Sequence, residues 1–281
     1  YWLEDMDVDG FRMDVPNDAP FWFWKLFREQ VKGIKSDAYL VGELWGYSPE
    51  WIGPDTFDAT MNYKYFREPV TKWIGQGRGN AASFERDLAP GRTAYATQAV
   101  RVMMNLIDSH DTVRFVNLAK GDRKRLQLAA LFTMTYLGTP HIWYGDEIAM
   151  EGEKDPDCRR PFYWNYEQDP SRVAVRDYYK KLTSLRHEHA ALRRGGYRTL
   201  LAEGKDYAFL REGEGERLIT VIHNADSGGS VTLDLAHAGL GDGTWRPLVG
   251  GTDPSMAPVA TSDGMLTVTL APRTGMVLVQ E

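Results

Sequence analysis

Gly10-Phe11-Arg12-Met13-Asp14 is the stretch that decides the fold, because it has the pattern of a short apolar strand that ends in a carboxylate. Side chains two positions apart on a strand point the same way, so Arg12 and Asp14 are expected on one face. Two later segments repeat this pattern: Val41-Gly42-Glu43-Leu44-Trp45 and Asn105-Leu106-Ile107-Asp108-Ser109-His110-Asp111. Barrel enzymes hold their reactive groups where parallel strands become loops. The three segments therefore predict a parallel sheet with a cluster of acids at its carboxyl edge.

Residues 1 to 196 alternate short apolar runs with longer amphipathic stretches, which is typical of βα units around a parallel sheet. The predicted helices cover 21–34, 123–135 and 172–187, with Asp122 and Ser171 as N-terminal caps of the last two. A complete eight-strand barrel needs about 250 residues, so this length predicts only strands four to eight of a TIM (β/α)8 barrel. The candidate strands are 10–13, 39–42, 59–61, 102–106 and 141–143.

The pattern changes after Gly195-Gly196, where short alternating segments are separated by turn-rich stretches. This texture predicts an antiparallel β-sandwich, and it places a domain boundary between a partial barrel at 1–196 and an all-β domain at 197–281. The candidate strands are 207–211, 217–223, 230–235, 265–270 and 276–280.

Composition narrows the classes of partner. The formal net charge is -6 with no long block of like charge, which argues against nucleic acid as a partner. No apolar run approaches the roughly 18 to 20 residues that span a bilayer, so no membrane segment is expected. Cys158 is the only cysteine, which excludes an internal disulfide and a thiolate metal cluster and favours a reducing, cytoplasmic location.

The carboxylates suggest acid/base chemistry. A guanidinium beside Asp14 lowers the pKa of an aspartate by about one to three units, which suits a nucleophile. Glu43 lies next to Trp45, and apolar enclosure raises the pKa of a glutamate toward the about 6 to 7 that a general acid needs. Two plainer interpretations remain open here: an Arg–Asp surface pair, and a glutamate that caps a helix or pairs with a lysine.

His110 and Asp111 end the third segment. No second histidine lies at metal-ligand spacing, so a metal site is not expected, and a sugar hydroxyl is the better partner for an adjacent imidazole and carboxylate. A hydrogen-bonded loop histidine is the alternative.

In order along the chain, these three segments resemble the second, third and fourth sequence regions of the α-amylase family of glycoside hydrolases. The resemblance implies that Arg12 and Asp14 are the family's arginine and nucleophile. It also implies that Glu43 is the acid/base, that His110 binds substrate and that Asp111 stabilises the transition state.

A further loop narrows the resemblance. Tyr144-Gly145-Asp146-Glu147 and the stretch from Asp155 to Pro161 resemble the loop after strand eight in neopullulanases, cyclomaltodextrinases and maltogenic amylases, as does Phe57-Asp58-Ala59-Thr60-Met61-Asn62-Tyr63. This implies that Asp155 and Arg159 bind the glucose unit beyond the cleavage site. Trp45 is the best candidate for a sugar-stacking platform.

The implied activity is retaining hydrolysis of α-1,4 bonds, with α-1,6 bonds an open question, in malto-oligosaccharides, cyclodextrins or pullulan. Retention requires the Asp14 and Glu43 carboxyl groups to lie about 5 to 5.5 Å apart. No cofactor or metal is expected here, and any calcium is expected in regions that would precede Tyr1. A transglycosylase with the same residues, or a non-catalytic carbohydrate-binding or scaffold protein, remains the alternative.

The same resemblance implies a missing half-barrel with an Asp-x-x-x-Asn-His motif, and an N-terminal domain through which the subfamily forms homodimers. A partial barrel leaves sheet edges and helix faces uncovered. We therefore expect residues 1–281 alone to be inactive and poorly stable, and to need the other half on the same or a separate chain.

Overall fold

Five short parallel strands form the first part of the computed structural model, which describes residues 1–250 and 257–281. The first three strands pair in chain order, a parallel bridge between Met61 and Met104 joins the third to the fourth, and the fourth pairs with the fifth. This succession is that of neighbouring barrel strands. The strands are β1 Gly10–Met13, β2 Tyr39–Gly42, β3 Ala59–Thr60, β4 Met104–Asn105 and β5 Thr139–Pro140.

Helices follow these strands and pack against them. Asp122 caps the helix Arg123–Thr135, which belongs to the βα unit that begins with β4. Its carboxylate accepts hydrogen bonds from the Lys124 and Arg125 N–H groups. The helices are α1 Phe21–Ile34, α2 Glu68–Val70, α3 Ala81–Thr93, α4 Thr97–Val102, α5 Phe115–Leu118, α6 Arg123–Thr135, α7 Pro170–Glu188 and α8 Ala190–Arg194. Wider π-helical turns, Tyr63–Arg67 and Thr71–Gly75, flank α2, and 3-10 turns occupy Pro16–Asp18, Pro49–Trp51, Asp146–Ile148, Asp157–Arg159 and Trp164–Gln168.

Within 196–250 and 257–281, eight antiparallel strands form a six-stranded sheet ordered β11-β10-β13-β8-β7-β6 and a two-stranded sheet of β12 and β9. Both faces of β7 are buried: Tyr207 and Phe209 pack toward the barrel helices, whereas Ala208 and Leu210 pack toward the two-stranded sheet. The strands are β6 Gly196–Glu203, β7 Asp206–Gly213, β8 Glu216–His223, β9 Gly229–Asp234, β10 Thr244–Gly250, β11 Val259–Ala260, β12 Met265–Leu270 and β13 Thr274–Gln280.

These strands confirm the predicted fold class, an α/β barrel segment followed by an antiparallel sandwich, and they correct several details. β5 is Thr139–Pro140 and lies entirely before the predicted strand 141–143, because the Thr139 N–H donates to Met103 O at 2.8 Å and begins the pairing. Val102 ends α4 instead of starting β4. The cap of α7 is Asp169, whose carboxylate accepts from the N–H and hydroxyl of Ser171, so the prediction of Ser171 as the cap is wrong.

The two parts share a packed junction centred on α6. Phe132 on α6 contacts the rings of Phe84 and Phe209, at centroid distances of 5.2 and 5.9 Å. A Cβ on Gly275 of β13 would lie 2.8 Å from the backbone oxygen of Val221 on β8 and 2.4 Å from a Leu131 methyl group, so glycine permits the close approach of β13 to α6. The fully buried Arg211 donates from β7 to the carbonyl groups at the end of α6. These contacts therefore hold α6, and with it the βα unit that begins with β4, against the antiparallel strands.

At the other end, α1 is only partly covered. It buries Trp24 and Val31 but leaves Trp22 63% exposed and Leu26 52% exposed. Within 1–250 and 257–281, no helix combines the length and apolar character required to cross a bilayer.

Candidate active site

The register of β1 and β2 places two acids side by side. Met13 pairs with Gly42, and the Glu43 N–H donates to Met13 O at 2.9 Å. Asp14 and Glu43 therefore each follow the last paired residue of their strand. Both emerge at the carboxyl edge of the sheet, as predicted for barrel strands.

One guanidinium contacts both acids. Arg12 Nη1 donates to Asp14 Oδ1 at 2.5 Å, and Arg12 Nη2 lies 2.5 Å from Glu43 Oε1. Arginine's planar fork suits this bridging arrangement. The separation of about 5 to 5.5 Å between the two carboxyl groups stays a prediction.

The surroundings of the two acids differ sharply. The Asp14 side chain is 71% exposed, and its hydrogen bond from Arg12 lowers its pKa below the usual range. The Glu43 side chain is 3% exposed, and burial raises its pKa even though Arg12 acts in the opposite direction. The two environments thus push the pKa values of Asp14 and Glu43 in opposite directions, lowered for the exposed acid and raised for the buried one.

A third acid, Asp111, joins Glu43 from the loop that follows β4. Side-chain atoms of Glu43, His110 and Asp111 lie within 4.8 Å of one another. His110 Nε2 is 3.2 Å from Asp111 Oδ2. One imidazole and two carboxylates can also ligate a divalent cation, so the expectation of a metal-free site stays a prediction.

The loop after β5 closes one side of this cluster. Arg159 Nη2 donates to Asp111 Oδ1 at 2.8 Å, and Arg159 Nε lies 2.6 Å from Asp155 Oδ1. Arg159 Nε also donates to His110 O at 2.9 Å. Asp155 and Arg159 remain about half exposed, with 50% and 46% of their side chains accessible, so both can still contact a ligand.

Trp45 and Tyr63 form a stacked pair beside Glu43. Their ring centroids are 4.0 Å apart with planes inclined by 6°, and Trp45 remains 47% exposed. The buried Tyr63 hydroxyl donates to Ser109 Oγ at 3.0 Å and is 3.5 Å from Glu43 Oε1. Burial raises the pKa of Tyr63 to about 12, so the hydroxyl keeps its proton.

Sequence reasoning did not select Tyr63 or Ser109 as site residues. Tyr63 lies in the stretch 57–63 that carries the subfamily resemblance, which could have identified it. In the sequence, however, nothing else distinguishes Tyr63 from a tyrosine of the core.

A cleft of about 610 Å³ adjoins the cluster, and both Asp111 and Asp155 line it. Gln76 and Lys154 also line this cleft. All the predicted site residues therefore lie near one region. Arg12 contacts Asp14 and Glu43, and Arg159 contacts His110, Asp111 and Asp155. Side-chain atoms of Glu43 lie within 4.8 Å of those of His110 and Asp111, and Trp45 stacks on Tyr63 beside Glu43.

Comparison with known proteins identifies the family. Residues 1–177 match the family model "Alpha amylase, catalytic domain". Neopullulanase 2 of Thermoactinomyces vulgaris is 40% identical over 280 residues, which cover 99% of this chain and 46% of the relative. A cyclomaltodextrinase of Thermoanaerobacter pseudethanolicus is 41% identical over 225 residues, which cover 80% of this chain and 39% of the relative.

The chain also resembles solved structures of enzymes with related names. A cyclomaltodextrinase structure superposes with a TM-score of 0.88 at 33% identity and covers 100% of this chain and 47% of that one. A debranching enzyme from Nostoc punctiforme gives a TM-score of 0.86 at 30% identity and covers 99% of this chain and 59% of that one. The chain spans about half the length of the curated relatives it matches. With the carboxylate cluster at the barrel edge, these matches show that the chain belongs to the α-amylase catalytic-domain family.

Proposed function

We propose that this chain supplies the catalytic residues of a retaining glycoside hydrolase that acts on α-linked glucans. The observation that carries the proposal is the Arg12 bridge between an exposed Asp14, whose pKa is lowered, and a buried Glu43, whose pKa is raised. Two carboxyl groups whose environments push their pKa values apart are the mark of a nucleophile and an acid.

In the proposed reaction, the Asp14 carboxylate attacks the anomeric carbon while Glu43 gives its proton to the leaving glycosidic oxygen. Glu43 is then a carboxylate and takes a proton from an incoming water, which releases the sugar from Asp14 with retained configuration. Arg12 keeps Asp14 ionised and oriented throughout.

The remaining residues bind the sugar. Asp111 and His110 are proposed to hydrogen-bond hydroxyl groups of the reacting ring, with Asp111 binding most strongly in the flattened transition state. Asp155 and Arg159 are proposed to hold the next glucose unit, supported by their half-exposed side chains on the rim of the cluster. The exposed ring of Trp45 is proposed to stack on a sugar of the leaving group.

The names of the relatives support the substrate class. They include a neopullulanase, cyclomaltodextrinases and a maltogenic α-amylase from Bacillus acidopullulyticus, which is 33% identical over 229 residues. We therefore propose malto-oligosaccharides, cyclodextrins or pullulan as substrates. We also propose that both α-1,4 and α-1,6 bonds are hydrolysed.

Location and assembly are part of the same proposal. A cytoplasmic location is supported by a Bacillus subtilis relative, 32% identical over 226 residues, that is named an intracellular maltogenic amylase. Because the chain spans about half of its relatives, we propose that activity requires further barrel strands, on the same polypeptide or through association with a separate half-barrel. A homodimer formed through an N-terminal domain outside residues 1–281 is a separate part of the proposal.

The test joins the N-terminal portion of Thermoactinomyces vulgaris neopullulanase 2 to Tyr1 and compares this chimera with residues 1–281 alone. Substrates are maltotriose, pullulan and cyclodextrins, and NMR follows the anomer released first. We expect the chimera to release the α-anomer and the chain alone to be inactive. Release of the β-anomer would contradict retention. Sugar binding without turnover would favour the non-catalytic alternative, and transfer products in place of free sugars would favour the transglycosylase.

A further inference from the structure

Arg114 is a fully buried arginine in the loop between β4 and α5. Its Nε donates to Cys158 O at 3.1 Å, and its Nη1 donates to Tyr144 O at 2.6 Å. Its backbone N–H donates to Gly152 O at 2.9 Å. One residue therefore ties the loop that follows β4 to two parts of the segment that follows β5.

The segment held in this way carries two of the proposed sugar-binding residues, Asp155 and Arg159. The Cys158 thiol donates to His110 O at 2.9 Å, next to the bond from Arg159 Nε to the same oxygen. Packing there is tight, because a Cβ on Gly152 would lie 2.8 Å from Cys158 Cα. A small displacement of the Cys158 carbonyl would thus be passed directly to Arg159.

Hydrogen bonds to buried groups fix the orientation of Arg114. Asp146 Oδ1 is 3.2 Å from Arg114 Nη1, and Asp108 Oδ2 accepts from the Phe115 N–H at 2.7 Å. Burial, together with the neighbouring Asp108, raises the pKa of Asp146 well above its usual range. Cys158 O, Tyr144 O and Asp146 Oδ1 hold Arg114 Nε and Nη1, whereas Nη2 has no hydrogen-bond partner among the described residues. Breaking the bonds to Nε and Nη1 in the buried interior would be costly, so the guanidinium has little freedom to move.

We propose that Arg114 is a positioning residue that holds the 152–159 segment, and with it Asp155 and Arg159, against His110 and Asp111. Arg114 has no exposed surface and cannot touch substrate, so it acts through the Cys158 carbonyl group. This inference rests on the proposed function for its consequence in catalysis, but its structural content can be tested separately.

The first test uses Cys158 as a reporter, because it is the only thiol in the chain and is fully buried. In residues 1–281, Arg114→Met should speed the reaction of Cys158 with a disulfide reagent by about tenfold or more, as the loop opens locally. Arg211→Met is the matched control, since Arg211 is equally buried and also donates to backbone carbonyl groups, at the end of α6.

Labelling is compared at temperatures where the variants have the same folded fraction. Faster labelling confined to Arg114→Met supports the proposal. Equal labelling of the two variants, or no change in Arg114→Met, would overturn it. If Arg114→Met does not fold, Arg114→Lys and Arg211→Lys replace the pair with the same expectation, because lysine keeps the charge but loses the Nε contact to Cys158 O. Where both Arg114 variants fold, Arg114→Lys should label at an intermediate rate.

A second readout is kinetic and uses the chimera described above. Arg114→Lys should raise KM for maltotriose more than it lowers kcat, because the residues it positions bind the sugar. A merely structural loss would lower the active fraction and leave KM unchanged, which would contradict the proposal. If the chimera is inactive, the proposed function fails while the labelling result still decides the role of Arg114.

Discussion

The ends of β1 and β2 lie on neighbouring strands and share Arg12, yet they place their carboxylates in opposite environments. Asp14 at the end of β1 is 71% exposed, whereas Glu43 at the end of β2 is 3% exposed. The guanidinium favours the ionised form of both acids, and only the exposed one has a lowered pKa. Burial is therefore the dominant influence on the pKa of Glu43, and the hydrogen bond from Arg12 is the dominant influence on the pKa of Asp14.

The largest expected effect is on the exposed acid. Asp14→Asn in the chimera should lower kcat by more than about 10³-fold, because the amide cannot act as nucleophile. The melting temperature should hardly change, since Asp14 is largely in solvent. Asp177→Asn is the control, as Asp177 is similarly exposed on α7. Substantial turnover by Asp14→Asn would remove it from the proposed role.

Glu43→Gln should show a loss that depends on the leaving group. With maltotriose, loss of the acid should cost about 10²- to 10⁴-fold in rate. With α-maltosyl fluoride, whose leaving group needs no proton, the first step should be largely restored in Glu43→Gln but not in Asp14→Asn. Kinetics with the two substrates check this. An equal loss on both would contradict the division of roles.

Arg12→Lys tests whether the bridge itself matters. Lysine keeps the positive charge but cannot contact both carboxylates through a planar fork. Loss of one charge-assisted hydrogen bond should lower kcat/KM by about 10- to 100-fold. The loss should be smaller than that of Asp14→Asn, and an unchanged kcat/KM would show that the charge alone suffices.

The smallest effect is on stability, with opposite signs for the two acids. Glu43 has a raised pKa when folded, so its contribution is fully present below its usual value of 4.5 and is lost as pH rises through the raised pKa. Asp14 has a lowered pKa, so its contribution is present above its usual value of 3.8 and is lost as pH falls through the lowered pKa.

Denaturant unfolding of residues 1–281 and its variants across about pH 3 to 8 measures this difference. Relative to wild type, Glu43→Gln should gain stability as pH rises, and Asp14→Asn should lose its relative disadvantage as pH falls. The same slope for both variants would mean that the two environments are alike.

Local pattern was enough to predict β1, β2, α1 and α6, because apolar periodicity and the Asp122 cap are carried by adjacent residues. It misses β6, β10 and β11. Pro247 interrupts the alternation of β10 near an irregular register with β13, so pairing with distant residues, not the local pattern, holds that strand in place.

The sequence predicted the carboxylates at the strand ends, but it did not predict the buried residues that hold the site's loops in place. Arg114 lies three residues after Asp111, the end of the predicted segment, but sequence spacing does not reveal that a charged residue there is fully buried. Its partners, Tyr144, Asp146 and Cys158, are at least 30 residues away, so only the tertiary fold brings them together.

The most direct test of the central claim is to trap the sugar on the enzyme. The chimera is incubated with 5-fluoro-α-maltosyl fluoride, digested with trypsin and examined by mass spectrometry. We expect a glycosyl ester in the peptide 13–25, with fragmentation assigning it to Asp14 rather than Asp18. An adduct on Glu43 or Asp111, or hydrolysis with inverted configuration and no adduct, would contradict it.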